Sequence, residues 1–266
     1  MEIIRIDDPA DPRVTPYLSI RERDLAGRHG RFIAEGKVVL NQLFSTRRFE
    51  PESVLVLENR LAGLADTLKQ APETMPVYAA TQPVMDAITG FHIHRGILAV
   101  GSRRTKEPPE ALMANLPARA LVLVLVGLSN HDNVGAIFRN AAAFGVDAVF
   151  LDRACCDPLY RKAIRVSVGA VLKVPFATAE NAGVIVDLLA GRGFEQFALS
   201  PAGAIDIRDA ACPDRLALYL GTEGEGLPDR LLSRLTTARI AMAEGFDSLN
   251  VAAASAIALH HFAREG

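Results

Sequence analysis

The sequence predicts an α/β protein: a C-terminal, mostly parallel sheet with helices on both faces, preceded by a smaller α/β domain. Three observations carry this. The run 120-ALVLVLVGL-128 is apolar without alternation, as expected of a strand buried on both faces, and a helix-like stretch follows it after a short polar turn. Downstream, strand-like and helix-like stretches alternate to the C-terminus, the pattern of a parallel sheet. Upstream, 101-GSRRTKEPPEALMANLPAR-119 breaks the apolar pattern with charge and three prolines. It predicts a first domain over 1–103, a linker over 104–118 and a second domain over 119–266.

The elements follow in order. In 32-FIAEGKVVLNQLF-44 the residues Phe32, Ile33, Val39, Leu40, Leu43 and Phe44 fall at helical spacing and predict a buried stripe. The short runs SVLVL (53–57), MPVYAA (75–80) and GILAVGS (96–102) read as strands. In the second domain DAVFLD, FEQFALS, LALYLG and ARIAMA read as further strands. Helices are expected at 130–145, near KAIRVSVGAVL and AGVIVDLLAG, briefly after GLPDRLLSRL, and at the terminal NVAAASAIALHHFARE.

Half of the 266 residues are hydrophobic and mean hydropathy is +0.18, so the chain can bury a sizeable core. No apolar run approaches the ~20 residues that span a bilayer, and the opening MEIIRIDDPADPR is acidic where a signal peptide is basic. A soluble cytoplasmic protein without a membrane partner is expected. The three cysteines include the adjacent pair Cys155 and Cys156, with no disulfide framework and no CxxC spacing, so free thiols and no metal are expected. Net charge is −2, so any RNA contact must come from local clusters. Two candidates are Arg21, Arg23, Arg28 and Arg31 in RERDLAGRHGR, and Arg161 and Arg165, one turn apart in RKAIR. A solvated charged surface accounts for most such runs.

Three loops at predicted strand ends hold the residues of interest, because ligands of open α/β sheets bind there. In GLSNHDNVG, Asp132 or Asn133 can cap the following helix, whose apolar stripe is Val134, Ile137, Phe138 and Ala141. That helix carries Arg139 beside small residues, where a guanidinium can grip a phosphate or carboxylate; an internal ion pair explains it equally. In LGTEGEGLP, three glycines permit close backbone approach, but Glu223 and Glu225 oppose a polyphosphate. A neutral or cationic adenosine ligand suits this loop, and a plain tight turn is the alternative. In AEGFDSLNVA, one of Asp247, Ser248 and Asn250 would cap an alanine-rich helix, whose small residues imply packing against another backbone or subunit. There is no Walker sequence and no GxGxxG at a first βα turn.

The stretches NVGAIFRNAAAFG, LGTEGEGL and SLNVAAASAIAL, with IRVSVGA between the first two, resemble the SpoU (TrmH-like) family of RNA ribose 2′-O-methyltransferases in the SPOUT superfamily. GRFIAEGKVVLNQLF and HRGILAVGSR are similar, more loosely, to that family's substrate-binding domain. The resemblance implies a deep C-terminal trefoil knot, a homodimer, an RNA-binding first domain, and S-adenosylmethionine as cofactor. It marks Asn133, Arg139, Glu223, Ser248 and Asn250 as the functional set. Backbone around Leu220, Gly221, Ile240 and Leu249 would hold the adenosine end, with Thr222, Gly226 and Met242 lining the pocket. Many relatives have proline where this chain has His131 or Asp132; His131 is a candidate general base, though a loop histidine is more often structural or exposed.

The family attributes proton removal to the matching arginine. Arginine stays protonated in proteins, so Arg139 is read here as gripping the target phosphate. A separate RNA-binding domain favours ribosomal RNA over transfer RNA. A non-catalytic RNA-binding or ribosome-assembly protein of the same fold is the competing reading, and a generic NAD enzyme a third.

Overall fold

The structure, a computed structural model, describes residues 2–18, 30–246 and 248–263. Arg21, Arg23, Arg28 and Asp247 lie outside the described residues. The chain divides into two compact units, residues 1–105 with 157–173, and residues 106–156 with 174–266.

The first unit is built on a five-stranded mixed sheet. Its strands are β1 (Ile3–Ile6), β2 (Arg31–Glu35), β3 (Phe49–Leu57), β4 (Val77–Ala80) and β5 (Ile97–Arg103), in the order β1-β4-β3-β5-β2. β1, β4 and β3 are parallel, and β5 runs antiparallel to β3 and β2. Ile33, Leu55, Leu57, Leu98 and Val100 join Val14, Tyr17 and Met85 in one core, where Tyr17 and Ser53 share a 2.8 Å hydrogen bond. The helical reading of 32–44 needs correction: Phe32 and Ile33 lie on β2, and the helix is Lys37–Ser45. Gly36, at φ +93°, breaks the chain between the two, so only Val39, Leu40 and Leu43 form a buried helical stripe and Phe44 is half-buried.

Residues 157–173 belong to this unit, although the sequence placed them in the second domain. The single helix expected near 162–172 is two short ones, Arg161–Val166 and Ala170–Lys173. Between them Val168 and Gly169 both adopt left-handed backbone, at φ +54° and +83°. A Cβ on Gly169 would sit 3.3 Å from the Val39 backbone, so close approach to helix Lys37–Ser45 dictates glycine there. Val168 is β-branched and strained in this conformation. Val168→Gly should therefore stabilise the protein by about 1 kcal/mol, relief of strain outweighing the entropy glycine adds to the unfolded chain. The thermal midpoint should rise by about 2–4 °C; no rise in calorimetry would show that the strain is absorbed elsewhere.

The second unit carries a seven-stranded sheet in which every pairing is parallel. Its strands are β6 (Ala120–Leu125), β7 (Ala148–Asp152), β8 (Phe176–Ala179), β9 (Glu195–Leu199), β10 (Ile205–Asp206), β11 (Arg215–Leu220) and β12 (Thr236–Arg239). The order is β10-β12-β9-β11-β6-β7-β8. β6 to β8 step toward one edge, the chain then crosses to the other side, and β11 takes the place between β9 and β6. β12 starts two residues before the run ARIAMA, whose Ile240–Ala243 lie in the loop that follows. β8 and the short β10 were not among the strands read from the sequence.

On β6 the side chains alternate between faces, Ala120, Val122 and Val124 entering a core with Phe150, Ile185, Leu189 and Tyr219. The continuous apolar run thus serves two buried faces. Within the stretch 104–118, a helix, Pro109–Ala114, buries Leu112 and Met113 in that core. Among the described residues no helix is long and apolar enough to cross a membrane.

Candidate functional site

Because the second sheet is wholly parallel, the loops after β6, β11 and β12 leave the same edge. β6 and β11 are also where the chain's direction of travel across the sheet reverses, and crevices that bind ligands form at such switch points. All three loops singled out in the sequence therefore meet at one edge.

The first loop leads into the helix His131–Ala143. Its cap is Asn130, whose side chain accepts from the Asp132 N–H at 2.8 Å, in place of the Asp132 or Asn133 expected to cap it. This shift leaves the Asn133 amide free for another task. Val134, Ile137, Phe138 and Ala141 are fully buried, as the stripe required, and Asn133 is only 6% exposed. Arg139 points from the opposite side of the helix, exposed, and makes no hydrogen bond or ion pair among the described residues. The internal ion pair considered for it does not form. His131 is half-buried in the first turn.

The second loop is a tight turn, closed by an antiparallel bridge between Thr222 and Gly226. A Cβ on Gly221 would lie 2.4 Å from the Gly226 carbonyl carbon, and Gly224 and Gly226 have positive φ, so the three glycines let the chain fold back on itself. Glu223 is held out at the tip. The third loop, residues 240–250, ends at Asn250, which caps the terminal helix Val251–Phe262 by accepting from the Ala252 and Ala253 N–H groups.

These parts close into a triangle. Asn133 Nδ2 donates to Glu223 Oε1 at 3.0 Å, Asn250 Nδ2 donates to the same oxygen at 2.6 Å and to Asn133 Oδ1 at 3.0 Å. The carboxylate only accepts, so it fixes both amides with nitrogen inward, and Asn133 is left an oxygen to offer Asn250. Asn250 therefore serves two roles through two atoms, its oxygen capping the helix and its nitrogen tying the loops together. Of the sequence-predicted set the structure joins Asn133, Glu223 and Asn250. Ser248 is exposed in the third loop and makes none of these bonds.

Leu220 and Gly221 are buried at the end of β11, and Thr222, Gly226, Ile240 and Met242 are half-buried on the same two loops. Leu249 stays 38% exposed and Phe246 64%. No lysine or arginine occurs from Gly221 to Leu227 or from Ile240 to Asn250.

The predicted RNA-contacting arginines do not share one state. In the first unit Arg31 is bridged to Glu52 at 2.8 Å, and Arg161 to Glu35 at 2.7 Å. Arg161 also stacks over Phe91 and is largely buried, so it is part of the packing and not a free phosphate contact. Arg165 is exposed.

Three contributors had no role assigned to them at the site from sequence. Asn140 reaches across to the terminal helix, donating to Ala252 O at 2.8 Å and Ser255 Oγ at 2.9 Å, and so explains its place in an otherwise small, apolar helix. Asp152, the last residue of β7, accepts from Gly127 N at 3.0 Å and Cys155 N at 3.1 Å. Cys155 Sγ donates to Leu125 O and accepts from Leu128 N, each at 3.3 Å, so both residues pin the first loop. An acidic residue closing a predicted strand was the available signal for Asp152. Burial, then the Asp152 charge, pushes the Cys155 thiol well above the usual range. It should resist alkylation at pH 8 while the exposed Cys212 reacts readily; mass spectrometry after brief iodoacetamide treatment would show the reverse order if the loop opens.

Residues 120–260 match the model of the SpoU rRNA Methylase family. The chain belongs to the SpoU family. It is 38% identical over 276 residues to an uncharacterized tRNA/rRNA methyltransferase of Mycobacterium bovis, covering 100% of this chain and 93% of that protein. In fold it is similar to an AdoMet-bound rRNA methyltransferase from Sinorhizobium meliloti, with TM-score 0.82, 23% identity, and 98% and 97% of the two chains covered. It is also similar to a solved RNA 2′-O ribose methyltransferase, with TM-score 0.79, 25% identity and 98% of each chain covered. The similarity to both structures extends over nearly the whole length, well beyond the three SpoU motifs.

Proposed function

We propose that this SpoU-family RNA methyltransferase, whose cofactor is S-adenosylmethionine, methylates a ribose 2′-hydroxyl, and that its substrate is ribosomal RNA. The observation that carries the reading is the Asn133–Glu223–Asn250 triangle, which ties three motif loops together at the helix that displays Arg139, exposed and without a partner among the described residues.

The loops suit the cofactor. Their turns of backbone, the apolar Met242 and Leu249, and the carboxylate of Glu223, with no basic side chain among them, match an adenosine carrying positive charge and oppose a polyphosphate. Leu220, Gly221, Ile240 and Leu249 would hold the adenosine end, with Thr222, Gly226 and Met242 around it. When bound, the cofactor supplies an electrophilic methyl group on a sulfonium.

The chain's own task is placement. Arg139 grips the phosphate beside the target ribose, orients the 2′-hydroxyl and makes it more acidic. Its proton passes to an oxygen of that phosphate or to water, since the guanidinium keeps its own. Ser248, at the loop beside Asn250, is assigned to substrate contact.

Residues 1–105 with 157–173 are assigned to RNA binding, and 106–156 with 174–266 to catalysis. A separate first unit suits a large structured RNA, and the 25%-identical neighbour's description as a 2′-O ribose methyltransferase supports the ribose as target. The central position of β11, entered after β6 to β9 are laid down, followed by the terminal helix packed on helix His131–Ala143, supports a trefoil knot. The exposed face of the terminal helix, with Ala253 and 43%-exposed Ile257, supports a homodimer; the cytoplasm is the location assigned to it.

Mapping ribose methylation across total RNA from cells with and without the gene tests the reading. Loss of one ribosomal site is expected. An unchanged ribosomal map with a lost transfer-RNA site would overturn the substrate assignment, and absence of cofactor binding by calorimetry would revive the non-catalytic reading.

A further inference from the structure

At the carboxyl edge of the second sheet, across the first loop from the triangle, lies a cavity of about 490 Å³. Asp152, Asn181, Arg230 and Arg234 supply its polar lining, and Val126 and Leu231 part of its apolar wall. We propose that this cavity is a nucleotide subsite, with phosphate at the arginines and the donor edge of the base at Asp152.

Asp152 is 8% exposed. Both backbone N–H groups it binds go to Oδ1; among the described residues no N–H group donates to Oδ2, and the carboxylate lines the cavity. An ionised carboxylate can only accept, so the occupant must bring N–H or O–H groups. A carboxylate so largely buried, with one oxygen short of N–H donors at a cavity wall, is costly unless a ligand or water meets it.

The mouth has the opposite demand. Arg230 is exposed and its guanidinium has no partner among the described residues, while Arg234 holds Asp187 from the rim. Asn181 spends its oxygen on capping the helix Ala182–Ala190, which leaves its Nδ2 to donate. An anionic group is therefore wanted outside, a flat apolar body between Val126 and Leu231, and a donor edge inside. A nucleotide whose base carries N–H donors combines these, guanine best, through its N1–H and N2–H groups.

The cavity shares the turn after β6 with the proposed catalytic edge, since Val126 lines it and Asp152 holds Gly127. This placement suits a nucleotide of the RNA flanking the target ribose, so this part rests on the function proposed above. A free nucleotide offers the same chemistry.

The test uses the full chain and guanosine 5′-monophosphate in calorimetry, with Asp152→Asn, Arg230→Glu and, as a charge control away from the cavity, Arg192→Ala. Asp152→Asn can still accept from Gly127 and Cys155 but turns a donor toward the cavity. The nucleotide should bind the unaltered protein, weaken roughly tenfold or more in the first two variants, and hold in the control, with cofactor affinity unchanged in Arg230→Glu and Arg192→Ala. Kinetics on ribosomal RNA from cells lacking the gene separates the sources. A raised KM with kcat held in Asp152→Asn and Arg230→Glu assigns the site to the RNA; unchanged RNA constants with nucleotide binding lost assign it to a free nucleotide. No nucleotide binding at millimolar concentration, together with unaltered RNA kinetics in both variants, overturns the proposal. Failure of the unaltered protein to methylate any RNA would instead sink the functional reading, and nucleotide binding alone would then decide the cavity.

Discussion

Replacing Arg139 by alanine should lower kcat for RNA methylation about 10²–10³-fold, the range lost when one preorganised charge-stabilising donor is removed. Cofactor affinity and thermal midpoint should hold, because the side chain is exposed and makes no hydrogen bond or ion pair among the described residues. That combination is what distinguishes a substrate-facing guanidinium from a structural one. An arginine needed for packing would lower stability on removal, as Arg161 would, with its Glu35 bridge and its place over Phe91. Arg139→Lys keeps the charge but loses the forked grip, so an intermediate kcat is expected. Single-turnover methylation with saturating cofactor and RNA is the measurement; near-normal turnover in Arg139→Ala would end the assignment.

What could be read from the chain beforehand follows a physical line. Buried strands such as β6 announce themselves through unbroken apolar runs, and Val134, Ile137, Phe138 and Ala141 through their spacing, because burial acts on every residue of the element. Asn133, Glu223 and Asn250 were marked by resemblance, but spacing alone could not say that they meet, since the contacts span 27 to 117 residues. The misread places are local competitions won by tertiary structure. Phe32 and Ile33 fit a helical stripe until Gly36 turns the chain, and 162–172 fits one helix until Gly169 must pass the backbone of Val39. Asn140 has no role legible in the sequence because its partners, Ala252 and Ser255, lie more than a hundred residues away.

Asn250→Ala should have the largest effect on stability of any change at the site, about 2–4 kcal/mol. Loss of the helix cap contributes about 1 kcal/mol, and the two side-chain hydrogen bonds about 0.5–1.5 kcal/mol each. Asn133→Ala removes two of the triangle's three bonds but no cap, so it should cost less. Once either asparagine is gone, Asn133 and Asn250 no longer share a bond, so the double variant should be less destabilised than the sum of the singles by about 0.5–3 kcal/mol. Denaturant unfolding of the four proteins gives this coupling directly, and additive losses would mean that the triangle does not persist in solution. Glu223→Gln then separates geometry from charge. A glutamine amide that keeps its oxygen inward can still accept from both asparagines, so stability should change little, while the loss of a carboxylate beside a cationic cofactor should weaken cofactor binding. Equal loss of both would mean that Glu223 acts only as the pin of the triangle and not as the charge that the cofactor meets.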